Sequence, residues 1–110
     1  KGRVPALATE RGVISENPAI LAYVAQCYPA ARLAPLDDPF EFARMQAFNS
    51  YLCATVHVAH AHLRRPERWA DEPAARAELR RKAPEVMANC FQLIEDEYLA
   101  GPWVLGDAYS

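Results

Sequence analysis

Two groups of residues carry the chemistry that this sequence can offer. The first is Val4-Pro5 and, across a polar turn, Glu16-Asn17-Pro18. A valine before proline is pushed into extended backbone, and proline has no N–H for a sheet ladder, so Val4-Pro5 ends or edges a strand. Backbone groups of Val4 are then left to pair with something else. Asn17 at an N-cap with Pro18 at the first helical position is a helix start signal, and Glu16 beside it complements the positive end of that helix. A carboxylate thus stands at a helix N-terminus next to an unfinished strand edge.

The second group is Cys53, His57 and His60, spaced i, i+4 and i+7, so that all three project from one side of a helix while His62 points elsewhere. Such a stripe superficially suggests a metal. Zinc needs three or four converging ligands, and no carboxylate or second Cys/His pair with metal spacing accompanies these, so no metal site is expected. Polar residues partly buried at a domain cleft are the better account. Cys27, Cys53 and Cys90 are odd in number, far apart and embedded in apolar helical patterns. They read as buried free thiols and not as a disulfide framework. The basic runs Arg64-Arg65 and Arg80-Arg81-Lys82 have acids nearby and read as solvated faces.

The elements that must position these groups follow from periodicity and punctuation. Residues 3–8 and Val13–Ser15 flank Glu10-Arg11-Gly12 and form a short antiparallel hairpin. From Pro18, the residues Ile20, Leu21, Val24, Cys27 and Tyr28 make one helical stripe that ends near Pro29. Residues 29–38 carry two prolines and no sustained period, as a linker does. Asp38 caps and Pro39 opens the next helix, whose face Met45, Phe48, Leu52, Val56, Ala59 and Leu63 runs without a breaker to Pro66, about seven turns. Trp69 anchors the following loop and Asp71 is the candidate cap of a last helix. In that helix Ala74–Lys82 is charged, whereas Val86, Met87, Cys90, Phe91, Leu93, Ile94 and Tyr98 form a broad apolar stripe. Pro84 lies between the halves and is expected to kink or break it.

With 110 residues, 52% apolar content, 24% charged residues and a net charge of -2, the chain can bury one modest core and offers no electrostatic case for nucleic acid. No run of about 18 apolar residues exists and no signal-peptide pattern opens it, so a soluble cytoplasmic protein without a membrane span is expected. It starts at Lys1 without Met and stops at Ser110, where a cap would begin another helix. A piece of a longer protein is the expectation.

The opening motif VPAL, a hairpin, then ENPAI resembles the glutathione-binding segment of the glutathione S-transferase superfamily, with Asn17 where Ser is usual. The order hairpin, helix, linker, long helix, second long helix, then Gly101 through Gly106-Asp107 towards Ser110, is similar to that family's layout across nearly the whole chain. Tyr51-Leu52-Cys53-Ala54-Thr55-Val56-His57 resembles a stretch of the bacterial Beta class, with Val58 where that class commonly has Lys. The resemblance implies an α+β fold: a partial thioredoxin-like N-terminal domain, hairpin plus helix, in residues 1–29, a linker in 30–38, and an all-α C-terminal domain in 39–110. By the family template the first strand, helix and second strand precede this segment, and with them the Tyr, Ser or Cys that activates the glutathione sulfur.

The resemblance further implies that Val4-Pro5 is a cis peptide whose Val4 backbone pairs with the cysteinyl unit of glutathione. Glutathione's γ-glutamyl end carries an ammonium for Glu16 and a carboxylate for Asn17 and the helix N–H groups. His57 takes a secondary sulfur-stabilising role, the one catalytic candidate present. The expected function is conjugation of glutathione, as co-substrate, to a small electrophile by a cytoplasmic homodimer in detoxification. The alternatives are a non-catalytic protein-interaction module and a glutathione-dependent thiol reductase or peroxidase.

Overall fold

The computed structural model describes residues 4–107. The expectations placed on Arg3 and Ser110 lie outside them. Strand β1 (Ala6–Thr9) pairs antiparallel with β2 (Gly12–Ser15) in the register Ala6 to Ser15, Leu7 to Ile14, Ala8 to Val13 and Thr9 to Gly12. The turn between them is tied by the Thr9 hydroxyl, which accepts from the Arg11 amide at 3.2 Å and donates to the Gly12 carbonyl at 2.8 Å. Gly12 has φ 136°, backbone open to glycine and strained for other residues, which explains its place at the end of this turn.

Helix α1 (Asn17–Cys27) follows β2 with a single residue between them. A one-turn 3₁₀ segment, Pro29–Ala31, starts the linker. Helix α2 (Pro39–Tyr51) opens as expected: Asp38 is its N-cap and its carboxylate accepts from the amides of Phe40 at 3.0 Å and Glu41 at 3.1 Å. The long helix is not uniform. A π turn, Leu52–Val56, separates α2 from α3 (His57–Arg64).

Helix α4 (Pro73–Leu93) packs along α3 and ends in a second π turn, Ile94–Tyr98. Its N-cap is Glu72 and not Asp71, and no side chain caps it; the Arg76 guanidinium instead holds the preceding loop through the Ala70 carbonyl at 2.8 Å. Trp69, expected as an anchor, is 45% exposed and meets His62 edge-on with ring centres 4.5 Å apart. After α4 the chain folds back on itself. Trp103 and Gly106 exchange two backbone hydrogen bonds of 3.1 Å, and a Cβ on Gly101 would stand 3.1 Å from the Gly106 backbone, so Gly101 is used for close approach and Gly106, at φ 81°, for its backbone conformation.

Pro84 does not break α4, which runs through it from Pro73 to Leu93. Proline removes one intrahelical bond, but Ala83 beside it is only 2% exposed, and packing at that point holds the helix through the defect. Exchange of this exposed proline, Pro84→Ala, should restore a backbone bond and raise stability by about 1–3 kcal/mol, read as a higher urea midpoint. A lower midpoint would mean that the ring itself is worth more than the missing bond.

The core differs from the expected stripes in which side chains are deepest. Among the described residues the buried apolar side chains are Pro66, in the turn before α4, and Ala25, Met45, Ala59, Ala61, Ala83 and Cys90, four of them helical alanines of α1, α3 and α4. Phe91 and Leu93 are exposed, so the stripe on α4 is narrower than the sequence predicts. The molecule measures 52 × 38 × 16 Å with a radius of gyration of 17.0 Å. A chain of this length packed round one core would have about 13 Å. The slab shape explains why large apolar residues such as Phe40 (72% exposed) and Tyr28 lie on its faces.

Candidate functional site

The hairpin register carries the two parts of the first group to the same end of the sheet. Ala6 lies opposite Ser15, so Pro5 precedes one strand and Glu16 follows the other at that end. The Val4-Pro5 peptide is cis and Val4 is 93% exposed. Among the described residues β1 pairs with β2 alone, so its other edge carries no ladder.

Glu16 makes the corner between β2 and α1 by itself, with φ 74° and ψ 129°. That region is sparsely populated by residues with a side chain and costs about 1–3 kcal/mol. Its carbonyl accepts the first helical bond, from the Ile20 amide at 3.1 Å. Glu16 is therefore the N-cap, and Asn17 and Pro18 occupy the first two helical positions, one step later than the sequence predicts. The shift is physically easy because a proline suits either of these positions, both lacking an intrahelical acceptor. The Glu16 side chain does not cap its own helix. The carboxylate, the Asn17 amide and the positive helix end accordingly share one corner of the surface.

A π turn lies within the second group. Within Leu52–Val56 the backbone bonds skip one residue further than in an α-helix, and the His57 amide bonds the Leu52 carbonyl. Among the described residues no three His, Cys, Asp or Glu side chains gather in a metal-holding arrangement. Cys53, His57 and His60 are exposed, and His62 is half-buried against Trp69.

Of the cysteines expected as buried thiols, Cys90 alone is buried; Cys27, in the last turn of α1, and Cys53, in the π turn, are exposed. A hollow of about 410 Å³ between the hairpin turn and the end of α1 is lined by Arg11, Tyr23, Cys27 and Tyr28, among others. Hydrogen bonding to Cys27 pushes the Tyr23 hydroxyl above its ordinary pKa. A second hollow, about 760 Å³, lies between Trp69 and the first turns of α4. Neither includes Val4, Pro5, Glu16, Asn17 or His57 in its lining.

Sequence reasoning missed a cluster of rings beside the π turn. Tyr98 stacks on Tyr51 with centres 5.2 Å apart and planes 23° from parallel, and tilts against Phe48 at 5.3 Å. The Tyr51 hydroxyl donates to the Cys90 carbonyl at 3.5 Å. Bonding to Cys90 and then burial raise the Tyr51 pKa. The available signal was the pair of aromatics at 48 and 51, one helical turn apart, which periodicity alone counts as ordinary apolar positions.

Comparison with protein-family models and with curated proteins gives no match. Comparison with solved structures does. A glutathione transferase homolog from Sulfitobacter, crystallised with bound glutathione, is 43% identical and superposes with a TM-score of 0.91, over 99% of this chain and 52% of that one. The chain belongs to the glutathione S-transferase superfamily. A glutathione transferase from Methylococcus capsulatus is 30% identical (TM-score 0.78; 99% and 51% covered), and a Beta-class glutathione S-transferase from Sphingomonas chungbukensis is 29% identical (TM-score 0.70; 94% and 52% covered). The chain spans about half the length of these transferases. The two-stranded hairpin followed by helices matches a partial thioredoxin-like domain plus the helical C-terminal domain of these transferases, an α+β fold as the sequence predicts.

Proposed function

We propose that this chain supplies the glutathione-binding corner and part of the electrophile wall of a glutathione S-transferase. The observation that carries the reading is the end of the hairpin, where Val4-Pro5 precedes one strand and Glu16, at positive φ, follows the other, in a chain 43% identical to a homolog that holds glutathione. Residues 1–29 would serve as the glutathione-binding unit, 30–38 as linker and 39–110 as helical domain.

In this reading the Val4 backbone pairs with the cysteinyl unit of glutathione in the manner of an added strand. Glu16 holds the γ-glutamyl ammonium, while Asn17 and the N–H groups of the first turn of α1 receive its carboxylate. These contacts fix the thiol at the open end of the strand edge. Rate comes from favouring the thiolate over the thiol, since the thiolate is the nucleophile; its sulfur bonds to an electrophilic carbon as a leaving group departs or a double bond is saturated. His57 stabilises the sulfur from the helical side. The electrophile lies between the corner and the long helix that begins at Pro39. A cytoplasmic homodimer active in detoxification completes the reading. No helix among the described residues is long and apolar enough to cross a membrane.

Retention of the full-length protein on immobilised glutathione, followed by turnover of a generic aryl halide, is the expected result. Neither retention nor turnover would favour a protein-interaction module that keeps the fold without the chemistry. Retention with reduction of a disulfide or peroxide, and no conjugation, would favour a thiol reductase or peroxidase.

A further inference from the structure

A π turn is rare and survives where its surroundings impose it. In this long helix both boundaries of the turn are fixed, by different contacts. Upstream, Tyr51 is the last residue of α2, and its ring is stacked on Tyr98 while its hydroxyl bonds the Cys90 carbonyl. Phe48, one turn earlier, packs on the same Tyr98 ring. Downstream, α3 is seated against α4, with Ala59 and Ala61 buried. The chain between the two clamps holds one residue more than an α-helical turn accommodates, and the surplus is absorbed as the wider turn Leu52–Val56.

From this geometry we infer that Tyr98, far along the sequence, is a positioning residue: its ring locks the end of α2 and so maintains the π turn that presents Cys53 through His57. Without the ring, α2 is free to rotate by the equivalent of one residue, about 100°, and the turn can close to α-helix. The His57 amide would then exchange the Leu52 carbonyl for that of Cys53. The exposed side chains of Cys53, Ala54 and Thr55 would turn with it. Tyr98 is itself the last residue of the second π turn, Ile94–Tyr98. The catalytic consequence rests on the proposed role of this helix as the electrophile wall; the structural inference does not.

Tyr98→Leu and Tyr98→Phe in the full-length protein separate these layers. Amide NMR shifts and hydrogen exchange are measured for residues 52–57 and, as a reference, 59–63, together with conjugation of glutathione to an aryl halide. The Leu variant is expected to shift the 52–57 amides and speed their exchange selectively, and to lower kcat/KM by about tenfold or more through misplacement. The Phe variant, which keeps the ring, should restore both. Unchanged 52–57 amides in the Leu variant, or changes spread equally over 59–63, would overturn the inference. So would a Phe variant as perturbed as the Leu variant. Altered amides at 52–57 with unaltered kinetics would uphold Tyr98 as the clamp and instead refute the part given to His57 and its helix in conjugation.

Discussion

Glu16→Ala should lower glutathione affinity roughly tenfold or more in calorimetry, the size expected when a charged hydrogen-bonding group worth about 1.5–3 kcal/mol is removed from an ammonium. The residue is exposed, so part of the Coulombic attraction is screened by water, and the lower end of that range applies. The same position offers an internal control. Its φ of 74° suits glycine, so Glu16→Gly relieves the strain that Glu16→Ala retains. Both variants are expected to bind glutathione equally weakly, while the Gly variant is the more stable of the two by about 1 kcal/mol in urea titration. Two variants with the same affinity loss, the Gly variant being the more stable, would show that the carboxylate recognises ligand and that the backbone, not the side chain, bears the strain. Unchanged affinity in both would remove Glu16 from the site.

The largest effect on folding is expected from Met45→Ala. Met45 is the bulkiest of the buried apolar side chains on the long helix, 8% exposed, where the other buried residues of that helix are alanines. Its removal leaves a cavity that helices held by close backbone contact cannot readily collapse around, at a cost of about 2–5 kcal/mol. Met45→Leu, which conserves volume, should cost less than about 1.5 kcal/mol. The check is the denaturation midpoint of each variant; a Met45→Ala protein as stable as the parent would show that the site is filled by rearrangement of α1 or α2.

Much of the frame was legible because it is written in residues with strong local preferences. Val4-Pro5, Gly12, the Asp38-Pro39 start of α2 and the spacing of the hairpin all act within a few residues, and the structure follows them. The points that were not legible are those decided over longer distances. An expectation of Asn17 as the cap is locally sound, but the register of β2 leaves one residue for the corner and assigns it to Glu16. Pro84 should disrupt a helix in isolation, yet α4 has a packed neighbour along its length. Periodicity marks large apolar residues, whereas most of the buried helix positions are alanines that it hardly weights. The π turn Leu52–Val56 follows Tyr51, whose ring stacks on one more than forty residues away, which no local window contains.

The defect at Pro84 lies immediately after Ala83, the tightest point of α4. The link without its backbone bond is therefore also the one with least room to move. A bend there would have to lift Ala83 out of the core, so the weakness acts as a fulcrum with its pivot embedded.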